Sequence, residues 1–245
     1  MPFPVMAGLA PAIHVLLHGL CHKTWTPATS AGMTLEKASE CMAARTDLAD
    51  RLAIRELIEN WATWRDTGRW KEFRSVWHDD GVMMASWFQG GADDFIRASQ
   101  ESFARGARSS HFLGGISIDL KGKRAIAQTK MQIAQRAPVE GVVCDVVCSG
   151  RFYDFVEKRK GRWGLVLRQP IYERDRLAPV DPAATVKLDA ALLARFPEGY
   201  RHLAYMQTKA GYTVKTDMPG LHGPELEALY WRGEQWLKGK KLASM

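Results

Sequence analysis

Two periodicities divide the chain. Between Asp47 and Trp70, Ile54, Leu57, Ile58, Trp61 and Trp64 recur at spacings of three and four, the period of one helix face. Asp47 before the apolar run predicts an N-cap, and Gly68 the residue that ends the helix. A short second helix follows at Trp70–Trp77 with Phe73, Val76 and Trp77 inward, then a turn at His78–Gly81 and a short strand at Val82–Phe88 broken by Gly90 and Gly91. Ala92–Arg105 reads as a third helix burying Phe95, Ile96, Ser99 and Phe103. From Ser110 the period drops to two. Ser110–Leu120, Arg124–Arg136, Val142–Glu157 and Trp163–Arg174 are four long strands joined by hairpin turns at Lys121–Lys123, Pro138–Gly141 and Lys158–Gly161. Three helices followed by four consecutive strands is an α+β pattern. A curved antiparallel sheet wrapped around the first helix would form a cone with a pocket at its open end. Gly114 and Gly115 inside the first long strand mark a bend or bulge that supplies the curvature.

The ends of the chain read differently. Beyond a linker at Pro179–Ala184, helices are predicted at Lys187–Phe196, Tyr200–Ala210 and Pro224–Lys238, with Pro224 at N1. Their expected role is to cover the sheet or a neighbouring subunit; the alternative is a lid over the open end. At the other end no acidic residue precedes Glu36, and a short apolar run is interrupted by Pro11, His14 and His18, with no Lys or Arg before Lys23. That fits neither a signal peptide nor a membrane span. The wording of this segment resembles a short intergenic repeat translated at the head of bacterial gene models, which predicts that the working protein begins at Met33 or Met42; the rival reading is a real export leader. The expected organisation is a non-native or disordered leader over residues 1–41, a cone domain over 42–179 and a helical extension over 180–245.

Composition narrows the function classes. A chain of 245 residues buries enough surface to need no staples. The net charge of +7 is spread over scattered basic residues, with no long Lys/Arg block interleaved with aromatics, so nucleic-acid binding is a weak third reading. Cys144 and Cys148 fall on one face of a predicted strand, too far apart for an easy disulfide, and read as buried thiols in a reducing, cytoplasmic setting. Cys21 and Cys41 lie in the leader. There is no glycine-rich phosphate loop, CxxC pair, HExxH or Ser-centred elbow, so no metal and no cofactor is expected.

Two residues carry the candidate chemistry. Asp66 stands in the last turn of the first helix, where a carboxylate faces the negative end of the dipole at a cost of up to about 1 kcal/mol. Helix stability therefore does not explain it. His111 lies on the first long strand and shares a face with Leu113 and Gly115. Turned into the cone it would meet apolar walls from Trp61, Trp64 and Phe103. A carboxylate beside it would fix its tautomer and stabilise the imidazolium, making it a base suited to neutral pH.

The order of these elements, with W-R-D at Trp64–Asp66, W-H-D-D-G at Trp77–Gly81, a third helix and then strands of which the first carries His111, resembles the SnoaL-like branch of the nuclear transport factor 2-like superfamily over roughly Leu48–Pro179. In scytalone dehydratase, hexachlorocyclohexane dehydrochlorinase and bile acid 7α-dehydratase an Asp at the end of the first helix and a His on the sheet form a catalytic dyad, which the resemblance assigns to Asp66 and His111. It also implies that Arg168, five residues after Trp163, holds a leaving anion or oxyanion. Trp61 stands where two of those enzymes have Lys or Tyr, and Tyr153 is a weak substitute for a tyrosine of scytalone dehydratase. The implied activity is that of a cofactor-free lyase or isomerase of the dehydratase type, acting on a small hydrophobic molecule, a polycyclic one included. The implied partner, besides that molecule, is a second copy of the chain, joined through the sheet; neither nucleic acid nor membrane is expected. The alternative is a non-catalytic ligand-binding or subunit-assembly module of the same fold.

Overall fold

The computed structural model of the chain describes residues 35–242. It divides into two compact units, Met1–Arg45 and Thr46–Met245. In the first, the described residues are helical; the predicted leader otherwise lies outside the described residues, as does the side chain of Cys41. Everything below concerns the second.

Helix α1 spans Leu35–Asp66, so it begins a full three turns before the expected start. Asp47 is therefore not an N-cap: its carboxylate pairs with Arg51 one turn on, at 2.9 Å. The predicted stop holds. Gly68 adopts φ +70°, and the Arg69 N–H turns back to the Trp64 carbonyl at 2.9 Å, a left-handed closure that glycine makes cheaply. Helix α2 (Trp70–Ser75) buries Phe73. The HDDG segment is not a turn. It belongs to strand β1 (Trp77–Met84), whose pairing skips between Trp77 and Val82. His78 is buried there; its Nε2–H donates to the Glu157 carbonyl at 2.8 Å, and Arg162 donates to its Nδ1 at 3.3 Å. Burial pushes this imidazole below its ordinary pKa, so it is a neutral strut. Strand β2 (Gln89–Gly91) and helix α3 (Ala92–Ala104) follow.

The four long strands are β3 (Ser109–Lys121), β4 (Arg124–Val139), β5 (Val142–Arg159) and β6 (Arg162–Pro179). Two-residue turns join them. Glu140 and Gly141, and again Lys160 and Gly161, all have positive φ, the twist that matches flanking strands in a tight hairpin. The sheet order is β2-β1-β6-β5-β4-β3. Every pair is antiparallel except β1 with β6, which is parallel. The α+β architecture is the one expected, with this one parallel contact added. Between Leu113 and Ile116 the β3 register gains a residue over β4, from Met131 to Thr129. This is the bulge anticipated at Gly114 and Gly115, and it helps curl the sheet around α1.

The extension covers both faces of the sheet. A short helix α4 (Ala190–Leu193) is capped by Asp189, which accepts from the N–H groups of Ala191 and Leu192. A 3-10 turn at Glu198–Tyr200 leads into α5 (Arg201–Lys209), whose first N–H groups, His202 and Leu203, donate to Asp175 at 2.6 and 2.8 Å. Leu203, Ala204 and Met206 of α5 join the inner core with Ile54, Ile58, Trp61 and Phe152. Helix α6 (Pro224–Leu237) instead lays Leu226, Leu229 and Trp236 on the outer face against Ile126, Tyr153, Phe155 and Ile171. Cys144 and Cys148 are both buried free thiols, the latter pushed up by burial. Among the described residues no helix is long and apolar enough to cross a membrane.

Candidate active site

The last residue of α1 meets the second turn-length of β3. Asp66 Oδ1 lies 2.6 Å from His111 Nδ1, and Oδ2 accepts the His111 backbone N–H at 2.6 Å. Ser109 Oγ adds a third, longer contact to Oδ1 at 3.5 Å. These donors offset the unfavourable placement of a carboxylate at a helix C-terminus. An ionised carboxylate has no proton to give, so Nδ1 carries the hydrogen and Nε2 is left with its lone pair free. No residue among those described bonds to Nε2.

The ring is buried, with 7% of its side chain exposed against 19% for Asp66. Desolvation lowers its pKa; the Asp66 hydrogen bond and charge oppose this, and the charges of Arg65 and Arg168 assist it. The net direction is downward, so His111 is neutral at neutral pH.

His111 lines a small, partly open cavity of about 40 Å³. Trp61 meets the imidazole edge-on at 5.2 Å, and Phe152, Phe95, Met83 and Ile133 complete the apolar wall. Leu203 and Gln207 of α5 close it. Tyr172 contributes a hydroxyl held by Ser86 alone, through N–H at 3.3 Å and Oγ at 3.5 Å. Ser86 Oγ in turn donates to Gln207 at 2.9 Å, tying α5 to the β1–β2 loop. Helix α5 is thus the roof of the open end. The role expected for the extension as a whole, covering the sheet, falls to α6.

The site residues expected from sequence divide accordingly. Asp66, His111 and Trp61 come together. Arg168 does not reach the cavity: it stands opposite Asp154 across β5 and β6, both side chains fully buried, and pairs with it through two bonds of 2.7 Å. The rings of Trp61 and Phe152 lie over its guanidinium at 4.2 and 4.1 Å. Its Nε and Nη2 are thereby held by Asp154, its buried Nη1 has no partner among the described residues, and it braces the cavity wall behind Trp61 and Phe152. Tyr153 points to the opposite face, its ring occupying the space where a Cβ on Gly233 would be, because strand residues alternate and Phe152 faces inward. Trp64 lines a surface groove with Trp163. Phe103 packs on Trp70 at 5.5 Å, beneath Arg108. Leu113 packs on the core without reaching the cavity.

Sequence reasoning missed Arg65, Phe152, Tyr172 and Gln207. Arg65 was within reach, since it lies four residues after Trp61 and so on the same helix face. Nothing in the sequence announced that Gln207 would arrive from a helix so distant along the chain. Among the described residues no group of three or more His, Cys, Asp or Glu is arranged to hold a metal.

Comparison with known proteins agrees with the fold. Residues 46–169 match the SnoaL-like domain family. The chain is 36% identical to Pea pathogenicity protein 2 of Fusarium vanettenii over 204 residues, covering 79% of this chain and 88% of that one. It is 35% identical over 209 residues to an uncharacterized protein of Emericella nidulans, with the same coverage. A solved hexachlorocyclohexane dehydrochlorinase of type 3 from Novosphingobium barchaimii LL02 is similar at 13% identity and a TM-score of 0.47, covering 58% of this chain and 97% of that one.

Proposed function

The chain belongs to the SnoaL-like family of the nuclear transport factor 2-like superfamily, and from that premise we propose that it is a cofactor-free lyase or isomerase in which His111 is the base. One observation carries the reading: a neutral imidazole, oriented by Asp66 at 2.6 Å and with Nε2 unpartnered among the described residues, lines a small cavity of mixed aromatic and polar walls.

In the proposed reaction Nε2 takes a proton from a substrate carbon. The C–H electron pair becomes the new C=C bond as hydroxide or halide leaves the neighbouring carbon with its own pair. In elimination the imidazolium then gives its proton to the departing hydroxide, making water, or to solvent when halide leaves; in isomerisation nothing leaves, the C–H pair is delocalised into an adjacent π system, and the imidazolium returns the proton to a different carbon. Asp66 stabilises the transient positive charge without taking the proton. The Tyr172 hydroxyl, held by two long contacts to Ser86, is the polar group placed to meet the departing oxygen. Arg168 has a positioning role through Trp61 and Phe152.

The cavity favours a slender reacting group. About 40 Å³ holds little beyond a few atoms while α5 stays in place, so a polycyclic skeleton would require α5 to move. Self-association through the sheet remains part of this reading, and a monomer by light scattering would remove it. The reaction itself is tested by following elimination of small β-hydroxy and β-halo compounds by the appearance of a conjugated double bond. The expected result is turnover that His111→Ala abolishes while the circular dichroism spectrum stays unchanged. Turnover surviving that substitution would exclude the mechanism; saturable binding with no product would favour a ligand-binding module.

A further inference from the structure

A second chamber of about 250 Å³ adjoins the His111 cavity, and Arg65, Trp87, Gln135 and Gln207 line both. Its wall holds four arginines, Arg65, Arg105, Arg108 and Arg136, and no Asp or Glu. Arg136 is neutralised by a two-bond pair with Asp145 at 2.7 and 2.8 Å. The other three form no ion pair with a carboxylate among the described residues. Arg105 donates to the Tyr212 hydroxyl at 3.2 Å, and Arg108 to the carbonyls of Phe103 and Ala107 at 2.7 and 2.8 Å. Arg65 is the telling one. It is half-buried, its buried Nε has no hydrogen-bond partner, and none of its nitrogens forms an ion pair among the described residues, although the charge of neighbouring Asp66 acts on it. A buried guanidinium N–H without an acceptor is costly, and the cost is relieved when a ligand supplies one.

We propose that the substrate carries a carboxylate that docks in this outer chamber against Arg65, with Arg105 at the rim, while the carbon that loses its proton passes between Trp87 and Gln207 to His111. This rests on the reading of His111 as the base and adds the substrate class: a small acid with an apolar body. A planar carboxylate matches one guanidinium fork. A dianionic phosphate fits less well, because the chamber sits at the C-terminal ends of α1, α3 and α5, whose carbonyls repel negative charge; phosphate sites use helix N-termini. The arginines at those ends partly balance the dipoles, which leaves room for a single negative charge.

Calorimetric titration of the full chain with trans-cinnamate, its neutral isostere trans-cinnamamide, and phenyl phosphate tests this. Cinnamate should bind at least about tenfold more tightly than cinnamamide. Arg65→Met should erase that preference, Arg105→Gln should weaken it, and His111→Ala should leave it intact. Equal affinity for acid and amide, no binding of cinnamate at millimolar concentration, a preference that survives Arg65→Met, or tighter binding of phenyl phosphate would each overturn the proposal. The acid–amide comparison uses unaltered protein, so it does not depend on any variant folding. A preference for cinnamate in a protein that turns nothing over would leave this inference standing and remove the lyase reading. His111-dependent turnover indifferent to Arg65→Met would do the reverse.

Discussion

Asp66 holds His111 at two points: Oδ1 is 2.6 Å from ring Nδ1, and Oδ2 takes the backbone N–H of the same residue at 2.6 Å. One carboxylate therefore fixes both the strand position and the ring orientation of the proposed base. Asp66→Asn should preserve the backbone bond through the amide oxygen but lose control of the tautomer. By analogy with other carboxylate–imidazole pairs the rate should fall by roughly 10²–10⁴. Nitrogen-15 NMR of the histidine rings checks this without a substrate. The unaltered protein should show His111 protonated on Nδ1, and the variant a mixture of tautomers.

Acidity follows from the same geometry. Burial, outweighing the Asp66 contact, lowers the His111 pKa below the ordinary value of about 6.5. The neutral base is then fully available at neutral pH, and activity should fall only as the pH drops below 6.5. The linkage has the same sign: the unfolded chain binds a proton first, so this residue's contribution to stability is present above about 6.5 and is lost as the pH falls through the folded-state pKa. Proton NMR titration of the His111 Cε1–H should give a midpoint below 6.5; a midpoint above 6.5 would contradict the neutral-base assignment.

Arg168 and Asp154 form a buried pair with no exposure on either side chain. Removing one partner strands the other charge, so Asp154→Ala should cost about 3–5 kcal/mol of stability. Replacing both, as Arg168→Met with Asp154→Leu, should recover most of that loss. Urea unfolding of the single and double variants distinguishes this from a role in anion binding, which would leave the stability of Asp154→Ala little changed.

Gly233 has a structural reason of its own. The Tyr153 ring fills the place a side chain would take, so α6 can lie flat on the outer face. Gly233→Ala should lift α6, lower the melting temperature and open the C-terminal segment to proteolysis. The additional substitution Tyr153→Leu should partly restore both.

Much of the fold was legible because its periods are strong. The run from Ile54 to Trp64 reads as one helix face, and the alternation after Ser110 reads as long strands with glycine turns. Element ends were less legible: the helix continues upstream of Asp47 without any apolar stripe to announce it, and His78–Gly81 looks like a turn by composition yet lies within β1, between the residues Trp77 and Val82 that pair with β6. In the site, Asp66, His111 and Trp61 were readable because one helix end, one strand and one helix face determine them. Arg168 and Tyr153 were not, since the strand register that faces Arg168 with Asp154 and turns Tyr153 outward depends on irregularities near Ser149 and Phe155. The roof over the cavity was the least legible part, because it depends on where α5 docks, and local pattern carries no trace of that.

The central claim is that His111 removes a carbon-bound proton. Hydrogen–deuterium exchange in D₂O tests it most directly, because it registers abstraction even when no group leaves. Small acids bearing an activated C–H would be incubated with the protein and read by proton NMR. One carbon-bound signal should be lost with unaltered protein, and the rate should be lower by about 10² or more with His111→Ala. Exchange that continues at full rate in His111→Ala, or its absence for every acid the protein binds, would contradict it.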